Sequence, residues 1–231
     1  MGGISFYIID TETTGTKSDN QYHEIVEISI VRASDKVQLS RTIKAANPQH
    51  ASLDALRITN KTIKDLYNGI SKIEAINDVN NFFNQDGKKP NARCIVGHNC
   101  ISFDKRFLHE LWRAHNMQFP ADLWLDTYKM MKLYIKQKGL DPKTKLSLDE
   151  SCDLLGTKKI AIGMHTAKID SRNNFFLYKE LVDNVGIDYV PMIQSHPHII
   201  PGLQKFSASD IEIDENEEES FDNDNDENDN E

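Results

Sequence analysis

The stretch Ile4-Ser5-Phe6-Tyr7-Ile8-Ile9-Asp10-Thr11-Glu12-Thr13-Thr14-Gly15 decides how the chain reads. Its mostly apolar run, Ile4 to Ile9, has the length and composition of a strand buried on both faces. Residues i and i+2 of a strand point to the same side, so Asp10 and Glu12 project together from its end. Two anions held a few ångströms apart each disfavour the other's charged form. A hard divalent cation such as Mg²⁺ or Mn²⁺ removes that cost. Asp-x-Glu is short enough to occur in solvated loops, so the pair needs partners elsewhere in the chain.

Working outward, Glu24 to Arg32 is β-rich, Ser34-Asp35 supplies a turn, and Val37 to Ile43 alternates apolar with polar residues. Three consecutive strands with tight turns predict an antiparallel meander whose first strand carries the acids. Helices are expected over Asp54–Arg57, Asn60–Leu66 and Ile73–Phe83, the last with an apolar stripe at Ile76, Val79 and Phe83. Short strands then precede helices at Arg93–Val96 and at Leu123–Thr127, with further helices over Ser147–Leu155, ended by Gly156, and from Thr166 to Val182. Strand–helix alternation after a meander predicts an α/β fold with a mixed five-stranded sheet flanked by helices.

The formal charge of -9 conceals two unlike parts. Asp210 to Glu231 holds 13 acidic residues and no Lys or Arg, leaving 23 acids against 27 bases in residues 1–209. That mildly basic body is compatible with a polyanionic substrate. Residues 206–231 are expected to be an acidic disordered tail that solubilises, competes with nucleic acid or docks a protein partner. Residues 189–205, rich in proline, read as a linker or docked extension of a domain spanning 1–188. No apolar run reaches the roughly 20 residues of a membrane helix. No signal segment is evident at the start, and the three cysteines are never spaced C-x-x-C. A reduced intracellular protein, cytoplasmic or nuclear, is the expectation.

Two later stretches carry further ligand types. In Gly97-His98-Asn99-Cys100-Ile101-Ser102-Phe103-Asp104 a strand gives way to a helix at an acid, which could be an N-cap or a metal ligand. In His165-Thr166-Ala167-Lys168-Ile169-Asp170 the histidine and acid would sit about 140° apart on one helix. His165 must therefore precede the helix, with Thr166 as N-cap, where an imidazole could deprotonate a water.

Taken in order, Asp10-Thr11-Glu12-Thr13-Thr14-Gly15, Gly97-His98-Asn99 through Phe103-Asp104, and His165 to Asp170 resemble the motifs of the DEDDh branch of the DnaQ-like 3′→5′ exonucleases. Ile25-Val26-Glu27-Ile28, Asp126-Thr127 and Leu155-Gly156 agree with that family, and Cys100 stands where it often has a smaller residue. The resemblance covers about residues 4 to 185 and implies a ribonuclease-H-like fold. It implies that Asp10, Glu12, Asp104 and Asp170 hold two Mg²⁺ or Mn²⁺ ions, with His165 the general base. It also implies that backbone groups of Thr13 and Thr14 cradle the terminal nucleotide, and that Asn99 and Phe103 touch substrate. The implied activity releases nucleoside 5′-monophosphates from single-stranded 3′ ends, DNA favoured in proofreading or repair and RNA 3′ ends the alternative. A non-catalytic nucleic-acid-binding module that kept the fold is the reading of another class.

Overall fold

Nine residues, Ser5–Thr13, form the strand β1 on which the other elements assemble in the computed structural model, which describes residues 3–17, 23–160 and 165–199. β2 (Ile25–Arg32) and β3 (Gln38–Thr42) follow as the expected antiparallel meander, Asp10 facing Ser29 and Glu12 facing Glu27. β4 (Arg93–Gly97) and β5 (Leu123–Asp126) then add in parallel on the other side of β1. The sheet order is β3-β2-β1-β4-β5, with β6 (Gln194–Ser195) at the far edge.

The sixth strand corrects the expectation of five. Gln194–Ser195 (β6) pairs antiparallel with β5, because the chain beyond Pro191 turns back along that edge instead of leaving it. His196 N–H donates to Asp122 O at 2.7 Å, and buried His198 accepts from Phe119 N–H at 3.0 Å, fastening the segment.

Alternation along β1 separates two apolar layers. Tyr7 and Ile9 face α2 (Lys72–Asn84) and α3 (Asp104–Arg113), packing with Ile76, Phe83 and Trp112. Ile8 faces α4 (Thr127–Gln137), α5 (Leu148–Leu155) and α6 (Ala167–Lys179), packing with Met130, Cys152 and Phe175. By the same parity Asp10 and Glu12 continue the row of Ile8 onto the α6 side.

Local chemistry sets the helix ends. Ser71 with Glu74 and Ser147 with Glu150 form capping boxes, and Gly156 ends α5 in the left-handed region at φ 64°. The helix expected over Asn60–Leu66 does not form: α1 (Leu53–Ile58) ends before Asn60, at φ 51°, and only a 3₁₀ turn at Asp65–Tyr67 remains. The three cysteines are buried and free. No helix among the described residues is long and apolar enough to cross a membrane. Gly163, Met164 and the acidic stretch from residue 206 lie outside the described residues.

Gly97 closes β4 where no side chain fits. A Cβ there would lie 2.3 Å from Cys100 Cβ, so the turn toward Asp104 depends on glycine. Gly97→Ala is expected to cost about 1–3 kcal/mol through overpacking, read as a lower urea midpoint with an unchanged m-value.

Candidate active site

Three elements deliver four carboxylates to the end of β1. Asp10 and Glu12 come from the strand itself, and α6, lying across β1 and β2, presents Asp170 from its first turn. Small residues set that approach: buried Ser171 donates to Ser29 Oγ on β2 at 2.9 Å. Carboxylate oxygens of Asp10, Glu12 and Asp170 can all lie within 4.8 Å of one another, a spacing one cation can bridge. Asp104, the first residue of α3, lies outside that group of three but close enough to Asp10 to raise it. Its Oδ1 accepts from the Thr11 hydroxyl at 2.6 Å. Phe103 occupies the N-cap position with no side-chain cap bond, so Asp104 is not employed as the helix cap.

Burial and mutual repulsion mark the cluster as short of positive charge. Asp10 is pushed well above the ordinary carboxylate range, first by burial and then by Asp104, Glu12 and Asp170. Burial, with Asp170 and Glu27 nearby, pushes Glu12 up to about 8. Asp104 rises to about 6 through burial, opposed by the Thr11 hydroxyl. Asp170 rises to about 6 for the same first reason, opposed by His165. The donor set is wholly hard oxygen and its charge is only partly offset, by Lys61 and His165, so it could hold a divalent cation.

His165 stands ahead of α6, as its rotation relative to Asp170 requires. Thr166 is the N-cap, its hydroxyl accepting from Ile169 N–H at 3.3 Å. His165 Nδ1 lies 3.5 Å from Asp170 Oδ2, and its side chain is 49 % exposed beside the carboxylates. With Arg57, Thr59, Lys61 and Thr166 it lines a cavity of about 530 Å³.

The other sequence-selected residues are placed less alike. Thr13 is buried, its hydroxyl donating to Gly15 O at 2.6 Å. Thr14 N–H donates to Glu24 O at 2.9 Å, so that donor is engaged within the fold. Asn99 is exposed on the β4–α3 turn with φ 62°. Phe103 is half-buried against the core, its ring 5.1 Å from Phe107.

Two residues at the site were given no role by sequence reasoning, although Glu27 lies in the Ile25-Val26-Glu27-Ile28 stretch. Glu27, opposite Glu12, accepts from Ala167 N–H at 3.2 Å and so holds the start of α6 against β2. Its other oxygen is paired with Lys61, whose charge also opposes the rise of Glu12. Glu27 carried one signal, an acid inside an apolar strand. Lys61, in a polar turn, carried none.

The exonuclease family model RNase_T matches residues 7–178. No curated protein matches in sequence. Among solved structures, exonuclease I from Methylocaldum szegediense is similar at TM-score 0.60 and 21% identity, over 78% of this chain and 40% of that one. Exonuclease I of E. coli, in complex with a 5cy-dT13 oligonucleotide, is similar at TM-score 0.63 and 15% identity, over 79% and 41%. A 3′-exonuclease described in 3′-end-specific recognition of a histone mRNA stem-loop is similar at 0.60 and 13% identity, over 87% and 72%. At these identities the likeness is one of fold, and the chain spans about two fifths of the exonuclease I structures.

The raised carboxyls set a pH dependence. Unfolded, these groups titrate near about 4; folded, Asp104 and Asp170 hold protons to about 6 and Glu12 to about 8. These carboxyls hold more protons in the metal-free fold than in the unfolded chain, so their contribution to stability falls as pH rises. Burial lowers the pKa of His98, His109, His196 and His198 and makes their contribution rise with pH up to about 6.5. Above the histidine range the carboxyl effect stands alone, and thermal unfolding in chelator should show a Tm declining from pH 7 to pH 8. Excess Mn²⁺ should raise Tm strongly at pH 8 and little at pH 5, with the Mn²⁺ effect much reduced in Glu12→Gln.

Proposed function

The chain belongs to the RNase_T exonuclease family, and from that premise we propose that it hydrolyses single-stranded nucleic acid from the 3′ end, releasing nucleoside 5′-monophosphates. One observation carries the reading: three acids from β1 and α6 lie within 4.8 Å of one another, Asp104 of α3 is close enough to raise Asp10, and an exposed histidine stands beside them.

Asp10, Glu12, Asp104 and Asp170 would hold two Mg²⁺ or Mn²⁺ ions. When bound, such ions supply Lewis acidity to the phosphate and lower the pKa of a water. The Asp170 contact engages Nδ1 of His165, leaving Nε2 to take the proton of the attacking water. The water oxygen bonds to phosphorus as the P–O3′ bond breaks, so the phosphate stays on the 5′ carbon of the released nucleotide. The 3′ oxygen left on the strand is reprotonated from solvent. Asn99, exposed on its turn, and Phe103, at the N-terminus of α3, are proposed as contacts for the nucleotides nearest the cut, with the Thr13 backbone at the terminal one.

Solved relatives include one in complex with a DNA oligonucleotide and one described with histone mRNA, so both sugars belong in the test. With 5′-labelled single strands of DNA and of RNA, the expected result in Mg²⁺ is a ladder shortening from the 3′ end, abolished in Asp10→Ala. No shortening of either strand, with wild type and Asp10→Ala alike, would leave a binding module. His165→Ala should lower kcat by about 10²–10⁴ while keeping the Mn²⁺-dependent rise in Tm. Loss of that rise would make His165 a ligand instead of a base.

A further inference from the structure

The positive excess of the body is concentrated in one place. Between Thr127 and Leu146 stand Lys129, Lys132, Lys136, Lys138, Lys143 and Lys145 against the single acid Asp141. None of these six is in an ion pair among the described residues, whereas Lys61, Lys72, Lys159 and Lys179 each have a carboxylate. Lys129, Lys132 and Lys136 recur at i, i+3 and i+7, which puts them on one side of α4. Met131 and Ile135 bury the opposite side. Aromatic rings are interleaved with the charges: Lys132 Nζ lies 5.1 Å from the centre of the Tyr128 ring, and Lys138 Nζ lies 5.9 Å from that of Tyr134.

This face leads into a cavity of about 480 Å³ between the ends of β4 and β5 and the start of α5, lined by Asn99, Tyr128, Lys145 and Ser147. His98 forms a fixed wall. Its ring nitrogens bond Thr127 Oγ1 at 3.0 Å and Leu146 O at 2.7 Å, and burial lowers its pKa, keeping it neutral. Thr127 Oγ1 in turn lies 2.7 Å from the Asn174 side-chain amide, and Asn174 is one turn of α6 beyond Asp170. Asp149, on α5 beside the cavity, is close enough to raise Asp170. The one acid lining the cavity, Glu150, is tied back by the Ser147 hydroxyl at 2.7 Å.

We propose that the lysine face of α4 and the loop after it, continuous with the cavity at Asn99 and Tyr128, carries the strand 5′ of the bond being cut. The inference rests on the exonuclease reading above and adds to it a substrate class: single strands several nucleotides long, held by backbone charge and by stacking on Tyr128 and Tyr134. Unpaired lysines meet phosphates without first breaking a protein ion pair, and tyrosine rings stack any base, so the surface is suited to a polymer of any sequence.

The test compares wild type with Lys132→Gln/Lys136→Gln/Lys145→Gln, all at exposed positions. A labelled 20-nucleotide single strand is titrated in chelator, where no cutting occurs, and kcat/KM is measured in Mg²⁺ on that strand and on a dinucleotide. The expected result is at least tenfold weaker binding of the 20-mer in the variant. The ratio of kcat/KM for the 20-mer over the dinucleotide should fall by a similar factor. The slope of log affinity against log salt should become shallower by about 2, at roughly 0.7 for each phosphate the variant no longer neutralises. Unchanged affinity, ratio and slope would overturn the proposal and leave the lysines a solvated face. Unchanged 20-mer affinity with lost binding to phosphatidylserine vesicles would overturn it in favour of a membrane surface. A wild type that cuts neither length would defeat the exonuclease reading alone, because the chelator titration still decides the path of the strand.

Discussion

Repulsion among carboxylates at the end of β1 is the constraint on which the rest of the structure depends. Asp10 and Glu12 share one face of a strand, Asp170 is brought over them by α6, and Asp104 closes the group from α3. Without a cation this arrangement is held together only by what surrounds it. Ser29 and Ser171 hold α6 close to β2, Glu27 holds its first N–H, and the Thr11 hydroxyl positions Asp104. Each is a buried or half-buried polar contact, satisfied within the fold, within a few residues of an acid. The scaffold thus opposes a repulsion that protonation or a metal would relieve. That is the expected signature of a site built for a function and not for stability.

Much of this was legible in the sequence because it follows from periodicity. The two-residue spacing of Asp10 and Glu12 places them together on any strand, and a five-residue spacing cannot place His165 and Asp170 together on any helix. The strand and helix layers followed from apolar runs such as Ile4–Ile9 and Ile73–Phe83. What could not be read depended on contacts distant in sequence. Glu27 meets Ala167 across 140 positions, and Lys61 reaches Glu27 from a turn whose residues suggested a helix. Asn60, in the left-handed region that asparagine tolerates, ends the preceding helix, a stop signal that the helix expected over Asn60–Leu66 overlooked. The sixth strand was hidden for a similar reason, because Gln194–Ser195 is too short for alternation to show and forms only through its pairing with distant β5.

Cys100 illustrates how close packing decides what a motif can tolerate. Its Cβ occupies the space that a side chain on Gly97 would need, and its thiol is fully buried. The backbone of the next turn is bonded to Asp126, which accepts from Asn99 N–H at 2.8 Å and caps α4 through Tyr128 N–H at 3.0 Å. One acid therefore sets both the turn that leads to Asp104 and the helix that carries the lysines.

That shared anchor bears on an electrostatic difficulty in any polyanion hydrolase of this layout. Four clustered acids repel the phosphate they must act upon, and bound cations offset that only at the bond itself. Phosphates further along a strand would meet the residual field of the acids unless another source of positive charge lay within reach. Screening limits that reach to about 8 Å at physiological salt, so distant surface lysines would not serve. Here the lysine face begins on α4, whose first turn bonds through Thr127 to α6 one turn from Asp170. The His98–Thr127–Asn174 contacts tie the start of α4 to α6, so the helix that carries the lysines is anchored against the helix that carries Asp170.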